Sequence, residues 1–180
     1  MNLQPHLALL ARYNRWMNLR LYEACGQLPP EALAVDRGAY FGSILGTLNH
    51  ILVGDRVWLQ RFAEHPAGKA SLAPVTALAK PATLDQLLFR DFAELCVHRR
   101  WLDELICAWI DSLSEDDLDD CLAYRNMKGV PARRPFASLL LHFFNHQTHH
   151  RGQATTLLHQ AGQDVGVTDL LALIPDDDLA

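Results

Sequence analysis

The chain has 180 residues, which is enough for one domain with a hydrophobic core and too few to predict two. Hydrophobic residues make up 49% and charged residues 21% of the sequence, a composition typical of folded proteins and not of disordered ones. The net charge of -5 and the presence of only three lysines disfavour a nucleic-acid partner, because phosphate binding needs clustered cations. We therefore predict a single domain over residues 1–180.

Membrane and export signals are not evident in the sequence. No apolar run approaches the roughly 20 residues that cross a bilayer, and the first residues lack the basic start and cleavage site of a secretory signal. These features predict a cytoplasmic protein without a membrane partner. The four cysteines are scattered without a CxxC pair, which favours free thiols over disulfides or a zinc ribbon.

The first predicted helix covers residues 3–27, where apolar side chains recur with a helical period until Pro29 and Pro30 end the pattern. Asn14 and Asn18 lie four residues apart on this helix, so both amides are expected on one face. Exposure to solvent or a hydrogen bond to a neighbouring helix is the favoured interpretation of this pair.

The second helix is predicted over residues 43–63, with His50 near its middle and Gly46 and Gly54 one turn to either side. A glycine inside a helix costs up to about 1 kcal/mol relative to alanine. The pair therefore indicates either close packing of another helix or space kept for something bound at His50. Asp55 points away from His50 around the helix and is expected to form a structural salt bridge or a cap.

A long crossover loop is predicted over residues 65–82, which contain three prolines and several small residues. The T-x-x-Q sequence of Thr83 to Gln86 has the form of a capping box. It predicts the start of a third helix that reaches about Leu113.

An acidic run after the third helix predicts a surface loop, and short segments around Tyr124 and Val130 predict a small hairpin. The fourth helix is predicted to begin after Pro135 and to end at Gly162, which suits the first position beyond a helix. Residues 174–180 carry three aspartates and are expected to fray.

Four histidines lie within LHFFNHQTHHRGQ on the fourth predicted helix. His146 and His150 are four residues apart, so both rings point to one face and can bind one ion. A catalytic metal commonly takes three protein ligands and leaves one position open. His50 on the second helix is the natural third ligand.

His142 and His149 lie near the same helical face and are alternatives to His50 as the third ligand. Otherwise they are expected to line a pocket or to support the ligands from outside the metal shell, and Gln153 is expected to orient a ligand or substrate. Leucines at both ends of this face predict that the polar site is buried or half-buried, so that it needs hydrogen bonds or a metal.

The opposite sides of the second and fourth helices are also apolar. A helix that is apolar on both sides is either central in the fold or buried again in a subunit contact, so we predict a homodimer. The residues concerned are Ile44, Leu45, Leu48, Leu52 and Leu59 on the second helix and Leu140, Leu141, Phe144 and Leu158 on the fourth.

The blocks ARYNRWMNLRLYEA, LNHILVGDRVWLQRF and NHQTHHRGQ and the late DLL of residues 169–171 resemble the DinB-like family of the DinB/YfiT superfamily. They occur in the right order along nearly the whole chain. The resemblance implies an all-α four-helix bundle with a crossover topology, usually dimeric. It also implies a divalent metal held by His50, His146 and His150. Relatives in the wider superfamily resemble thiol-dependent transferases that use bacillithiol or mycothiol.

These observations predict a metal-dependent enzyme of unassigned reaction, for which the family resemblance implies a thiol-dependent S-transferase or a hydrolase acting on a small molecule as candidates. The cofactors would be a divalent transition metal, zinc or nickel above others, and a low-molecular-weight thiol. The metal would lower the pKa of a bound water or thiol. Two alternatives remain open: a stress-linked metal- or small-molecule-binding protein without turnover, and a structural helical dimer with hydrogen-bonded histidines.

Overall fold

The computed structural model describes residues 2–176, and the chain is mostly helical, as predicted. Within this range no helix is long and apolar enough to cross a membrane. The predicted fraying of residues 174–180 falls mainly on 177–180, outside the described residues. The elements are α1 (Gln4–Cys25), α2 (Pro30–Ala34), α3 (Ile44–Phe62), α4 (Pro66–Lys69), α5 (Ala73–Thr76), α6 (Phe92–Asp111), α7 (Glu115–Leu118), β1 (Cys121–Arg125), β2 (Pro131–Pro135), α8 (Phe136–Gln160) and a 3₁₀ helix (Leu170–Leu173).

The four long helices, α1, α3, α6 and α8, enclose the hydrophobic core. α1 packs against α6 and α8, and α3 packs against α8. At the C-terminal end of α3, the fully buried Phe62 meets Trp109 of α6 at a ring-centroid distance of 5.3 Å and Phe136 of α8 at 5.6 Å. Aromatic rings bury a large apolar area and prefer such tilted contacts. This cluster therefore anchors α3 against α8, the two helices that carry the candidate ligands.

The apolar sides that predicted a subunit contact are instead buried inside the chain. All five apolar residues concerned on α3 are buried, and so are Leu140, Phe144 and Leu158 on α8, while Leu141 is 43% exposed. The reason is that α8 lies between α1 and α3, so both of its sides face other helices of the same chain. The homodimer stays a prediction that now depends on the family resemblance alone.

The third long helix begins later than predicted. The segment from Thr83 to Gln86 is not helical, and the Gln86 amide oxygen accepts a hydrogen bond from Ala82 N at 2.8 Å. The true N-cap of α6 is Asp91, whose carboxylate accepts from Glu94 N at 2.8 Å. A carboxylate at a helix N-terminus satisfies a free N–H group and also faces the positive end of the helix dipole. The T-x-x-Q prediction was therefore wrong, and residues 83–90 stay available for other contacts.

Short helices occupy three connections for which no helix was predicted. Residues 65–82 contain α4 and α5, the acidic run contains α7, and α2 follows Pro29. Proline tolerates the first helical turn because the N–H group that it lacks has no partner there, and α2, α4 and α5 each have one at that place. α7 begins with a capping box between Ser114 and Asp117.

The predicted hairpin is present before α8. β1 and β2 pair antiparallel, with Cys121 opposite Pro135 and Arg125 opposite Pro131. At the turn, the side-chain oxygen of Asn126 accepts hydrogen bonds from two backbone N–H groups, at 2.9 and 3.1 Å. The turn holds residues 126–128 beside the cavity described below.

A buried ionic cluster connects α1, α3 and α6. Arg99 of α6 pairs with Asp55 of α3 and, at 2.8 Å, with Asp103 one turn along its own helix. Asn14 and Asn18 of α1 both donate hydrogen bonds to Asp103, at 3.2 and 2.9 Å. The structure therefore confirms that the asparagine pair bonds a neighbouring helix and that Asp55 forms a structural salt bridge.

Candidate metal centre

Three histidines from two helices meet at one point between α3 and α8. One ring nitrogen from each of His50, His146 and His150 lies within 4.8 Å of the others. The Nε2 atoms of His50 and His150 are 3.1 Å apart. In a tetrahedral zinc site with bonds of about 2.0–2.1 Å, the ligand atoms are about 3.3 Å apart. The spacing of this pair therefore already suits a common metal ion.

Hydrogen bonds on the far side of two rings determine which nitrogens face the centre. His50 Nδ1 lies 2.7 Å from the carbonyl oxygen of Leu84, and His150 Nδ1 lies 2.7 Å from Gln153 Oε1. The Leu84 carbonyl oxygen only accepts, so His50 Nδ1 carries the proton, and with the Gln153 amide oriented oxygen-first His150 Nδ1 carries it as well. The two Nε2 atoms are then both lone-pair acceptors at 3.1 Å, which repel each other unless a cation lies between them. This is the arrangement that outer carbonyl and amide partners impose on metal-binding histidines.

The three imidazoles have lowered pKa values. For His146, burial, followed by the charges of His150 and His50, lowers the pKa to about 3. Burial is also the largest cause of the lowered pKa of His50 and of His150. Near neutral pH the rings are therefore unprotonated, which is the form that binds a metal.

Phe41 forms one wall of the cluster. Its ring stacks on His50 with a centroid distance of 3.7 Å and an interplanar angle of 16°. Phe41 belongs to the turn before α3, and its carbonyl oxygen occupies the place where a Cβ on Gly46 would lie. Gly46 therefore allows the turn that precedes α3 to pack directly on this helix, where the sequence predicted a neighbouring helix or a bound molecule.

Cavities open on two sides of the cluster. One of about 600 Å³ is lined by all three histidines together with Tyr40, Phe41, Leu84 and Asp85. Another of about 450 Å³ is lined by His50 and His146 and extends past Trp58 and Arg61 to the hairpin turn. A small molecule can therefore approach the point where the three rings meet.

The other predicted site residues lie around this cluster. His142 and His149 are exposed, and neither belongs to the group of converging nitrogens. The His142 ring lies 5.1 Å from Trp58 and lines the cavity, whereas His149 lies 4.8 Å from His150, both measured between ring centroids. Gln153 contacts His150 directly.

Comparison with known proteins agrees with this description. The family model of the DinB family matches residues 1–177. The chain belongs to the DinB family. It is also similar to Protein DinB of Bacillus subtilis (strain 168), with 28% identity over 160 residues that cover 89% of this chain and 88% of the relative. No solved structure gives a significant match. The family resemblance predicted from the histidine blocks is therefore confirmed.

Several contacts of this DinB-family site were not predicted. Trp58 and Arg61 lie two and three turns beyond His50 on the same side of α3, so helical periodicity could have pointed to them. Leu84 acts through its backbone carbonyl, and every residue has one. Phe41 depends on the path of a turn. Those two contacts had no signal in the sequence.

Gly54 makes room for His146, and its replacement is expected to disturb the centre. A Cβ at this position would lie 2.7 Å from His146 Cε1, closer than real Cβ atoms approach. Gly54→Ala should therefore push the imidazole away from the other two and weaken zinc binding by at least about tenfold, the lower end of the effects seen when a ligand loses its orientation. Calorimetric titration with zinc measures this.

Gly152, on α8, provides the matched control. A Cβ there meets nothing within 4 Å. Gly152→Ala should leave the zinc affinity unchanged and stabilise the fold by roughly 0.5–1 kcal/mol through helix propensity. Equal zinc affinity in the Gly54→Ala and Gly152→Ala proteins would show that Gly54 does not position His146.

Gln153 is expected to tune the centre without contacting the ion. Its side-chain oxygen accepts the Nδ1 proton of His150, which keeps the lone pair on Nε2. Gln153→Ala should reduce zinc affinity by about 10- to 100-fold while one ion per chain still binds at saturation. Gln160→Ala, at an exposed position on the same helix, should have no effect. An unchanged zinc affinity in the Gln153→Ala protein would show that Gln153 does not support His150 in this way.

Proposed function

We propose that this DinB-family protein is a metal-dependent enzyme in which His50, His146 and His150 bind a divalent transition metal. The observation that carries the proposal is the pair of facing Nε2 lone pairs, 3.1 Å apart, whose Nδ1 protons are engaged by Leu84 and Gln153. Two neutral rings held in this way are oriented to share a cation. His146 adds the third nitrogen.

The donor set restricts the identity of the metal. Three imidazole nitrogens suit zinc, nickel or copper and do not suit calcium or magnesium, which prefer oxygen ligands. Zinc and nickel are our proposed occupants. Three protein ligands leave a further position open, as in catalytic zinc sites. When bound, the metal would supply Lewis-acid activation of a thiol or a water, whose pKa it lowers.

The protein residues would hold and shield this centre. Leu84 and Gln153 fix the orientation of two rings, and Phe41 covers one face of His50. The adjoining cavities admit a small-molecule substrate beside the open position. His142, which lines one cavity, would contact that molecule and not the metal, and His149 would support the His150 ring from beside it.

A thiol used in the reaction would have to come from a small molecule. The residues that line the two histidine cavities include no cysteine. Cys25 is buried, and its burial raises the pKa of the thiol to about 12. The family resemblance favours a thiol-dependent S-transferase that uses a low-molecular-weight thiol, and a hydrolase that activates water is the second form of the same proposal.

Activity assays test the proposal. Zinc- and nickel-loaded protein is incubated with bacillithiol, mycothiol or glutathione and a panel of electrophiles, and with a panel of esters and amides for hydrolysis. We expect turnover that chelation abolishes and that the His150→Ala protein lacks. If the metal-loaded protein turns over no compound of either panel, the result would support the alternative, a metal- or small-molecule-binding protein without turnover.

Assembly and location complete the proposal. The family resemblance favours a homodimer, and light scattering at micromolar concentration tests it, a monomer being the contradicting result. A cytoplasmic location stays a prediction from the sequence.

A further inference from the structure

The cavity beside the histidine cluster continues into a groove that passes Arg61. The 450 Å³ cavity adjoins one of about 700 Å³ that lies between α3 and the hairpin, and Val57, Arg61, Asn126 and Met127 line both. Gly54, which faces His146, and Arg61 are seven residues apart on α3, or about 10 Å along the helix axis. One small molecule can therefore reach from Arg61 to the point where the histidines meet.

Arg61 is held in place by aromatic rings and not by an acidic partner. Its guanidinium carbon lies 4.7 Å from the ring centroid of Trp58 and 5.0 Å from that of Tyr124. Stacking on aromatic rings restrains the planar group while leaving its N–H donors at the edges. None of the ion pairs found between residues 2 and 176 includes Arg61. Within the described part of the chain, this half-buried, oriented cation faces the groove without an ion pair, and Glu64, three residues along, is an acid whose charge acts on it.

The groove is positive on a protein that is negative overall. Arg61, Lys80, Arg125 and Lys128 line the two joined cavities, and among residues 2–176 Glu64 is the one acidic residue that lines them. Two of the chain's three lysines therefore lie here although its net charge is -5. A positively charged cleft with apolar walls concentrates anionic ligands.

We propose that this groove binds the anionic group of a small-molecule substrate, with the Arg61 guanidinium as its principal partner. A carboxylate and a phosphate share the required chemistry, because each presents two oxygens to the forked donors of arginine. The remainder of the molecule extends past Trp58 towards His146. An anionic small molecule is thereby named as the substrate class of the proposed enzyme. Binding of the anion does not depend on the metal centre, whereas its conversion rests on the function proposed above.

The test measures anion binding to protein from which metal has been removed, so that a metal cannot bind the anion. Benzoate, phenyl phosphate and the neutral benzamide are titrated by calorimetry. We expect at least one of the two anions to bind and benzamide not to bind. The tighter anion distinguishes a carboxylate from a phosphate substrate.

Variants assign the binding to Arg61. Arg61→Gln should reduce the affinity for the anion on the order of tenfold, the usual effect of losing a charged hydrogen bond. Arg61→Lys, which keeps the charge and the apolar stem, should retain part of the affinity and serves if the glutamine variant does not fold. Arg12→Gln, at an exposed position on α1, should bind as the wild type does.

Equal anion affinity in Arg61→Gln and wild type, equal binding of benzamide, or no anion binding at millimolar concentration would overturn the inference. The metal content of the same proteins is measured separately. Loss of anion binding in Arg61→Gln with one zinc ion still bound supports both proposals. Anion binding by a wild-type protein that takes up no metal would support the anion site and contradict the proposed metal centre.

Discussion

Replacing His146 with alanine is expected to reduce zinc affinity by more than about a hundredfold. Loss of an outer partner of a metal ligand costs about 10- to 100-fold, and loss of the ligand itself removes a direct bond as well. His50→Ala and His150→Ala should act similarly, because each supplies one of the three converging nitrogens. Calorimetry with zinc gives the affinities, and circular dichroism should show that helicity is retained.

Two histidines outside the cluster serve as controls for this prediction. His98, on α6, packs against Phe89 and Trp101, and His159 is exposed near the end of α8. Alanine at either position should leave zinc affinity unchanged. If His142→Ala abolished binding and His50→Ala did not, the proposed ligand set would be wrong.

The largest expected effect on stability comes from Arg99. This buried guanidinium forms ion pairs with Asp55 and Asp103, which are themselves buried. Arg99→Ala removes the ion-pair partner of both carboxylates, and removing one partner of a buried ion pair costs about 3–5 kcal/mol. Urea unfolding of the metal-free proteins at pH 7.5 measures the difference. Arg100→Ala, at the exposed neighbouring position, should change stability by less than about 0.5 kcal/mol.

The loss caused by Arg99→Ala should become smaller at lower pH. Burial raises the pKa of Asp55 to about 6 even though Arg99 opposes the shift, so removal of Arg99 raises it further. An acid whose pKa is raised in the folded state binds more protons folded than unfolded, so stability increases as pH falls through the folded pKa. Urea unfolding at pH 5.5 should show a smaller deficit than at pH 7.5. An equal deficit at both pH values would contradict this explanation.

Apolar periodicity was sufficient to locate the four long helices and the faces of α3 and α8 that carry the candidate ligands. Because α8 is continuous through His146 and His150, their four-residue spacing determined that they share a face. The glycines beside His50 predicted either close packing of another helix or space for something bound at His50. A Cβ on Gly54 would meet His146 of α8, which is close packing of another helix, whereas Gly46 makes room for the turn before α3.

Contacts made by turns and backbone groups could not be predicted in this way. The T-x-x-Q pattern competed with Asp91 for the start of α6, and the carboxylate cap determined the boundary. As a consequence, Leu84 lies in a turn before α6, and its carbonyl oxygen reaches His50. The homodimer prediction from apolar helix sides had a similar origin, because periodicity alone does not distinguish a neighbouring helix of the same chain from a partner subunit.

Metal analysis of protein prepared without an affinity tag tests the central claim most directly. The chain is incubated with zinc or with nickel, the excess is removed by gel filtration, and metal and protein are quantified in the same fractions. The three converging imidazoles predict one ion per chain, and the His146→Ala protein should retain none. A wild-type chain that retains well under one ion with either metal would contradict the proposed metal centre.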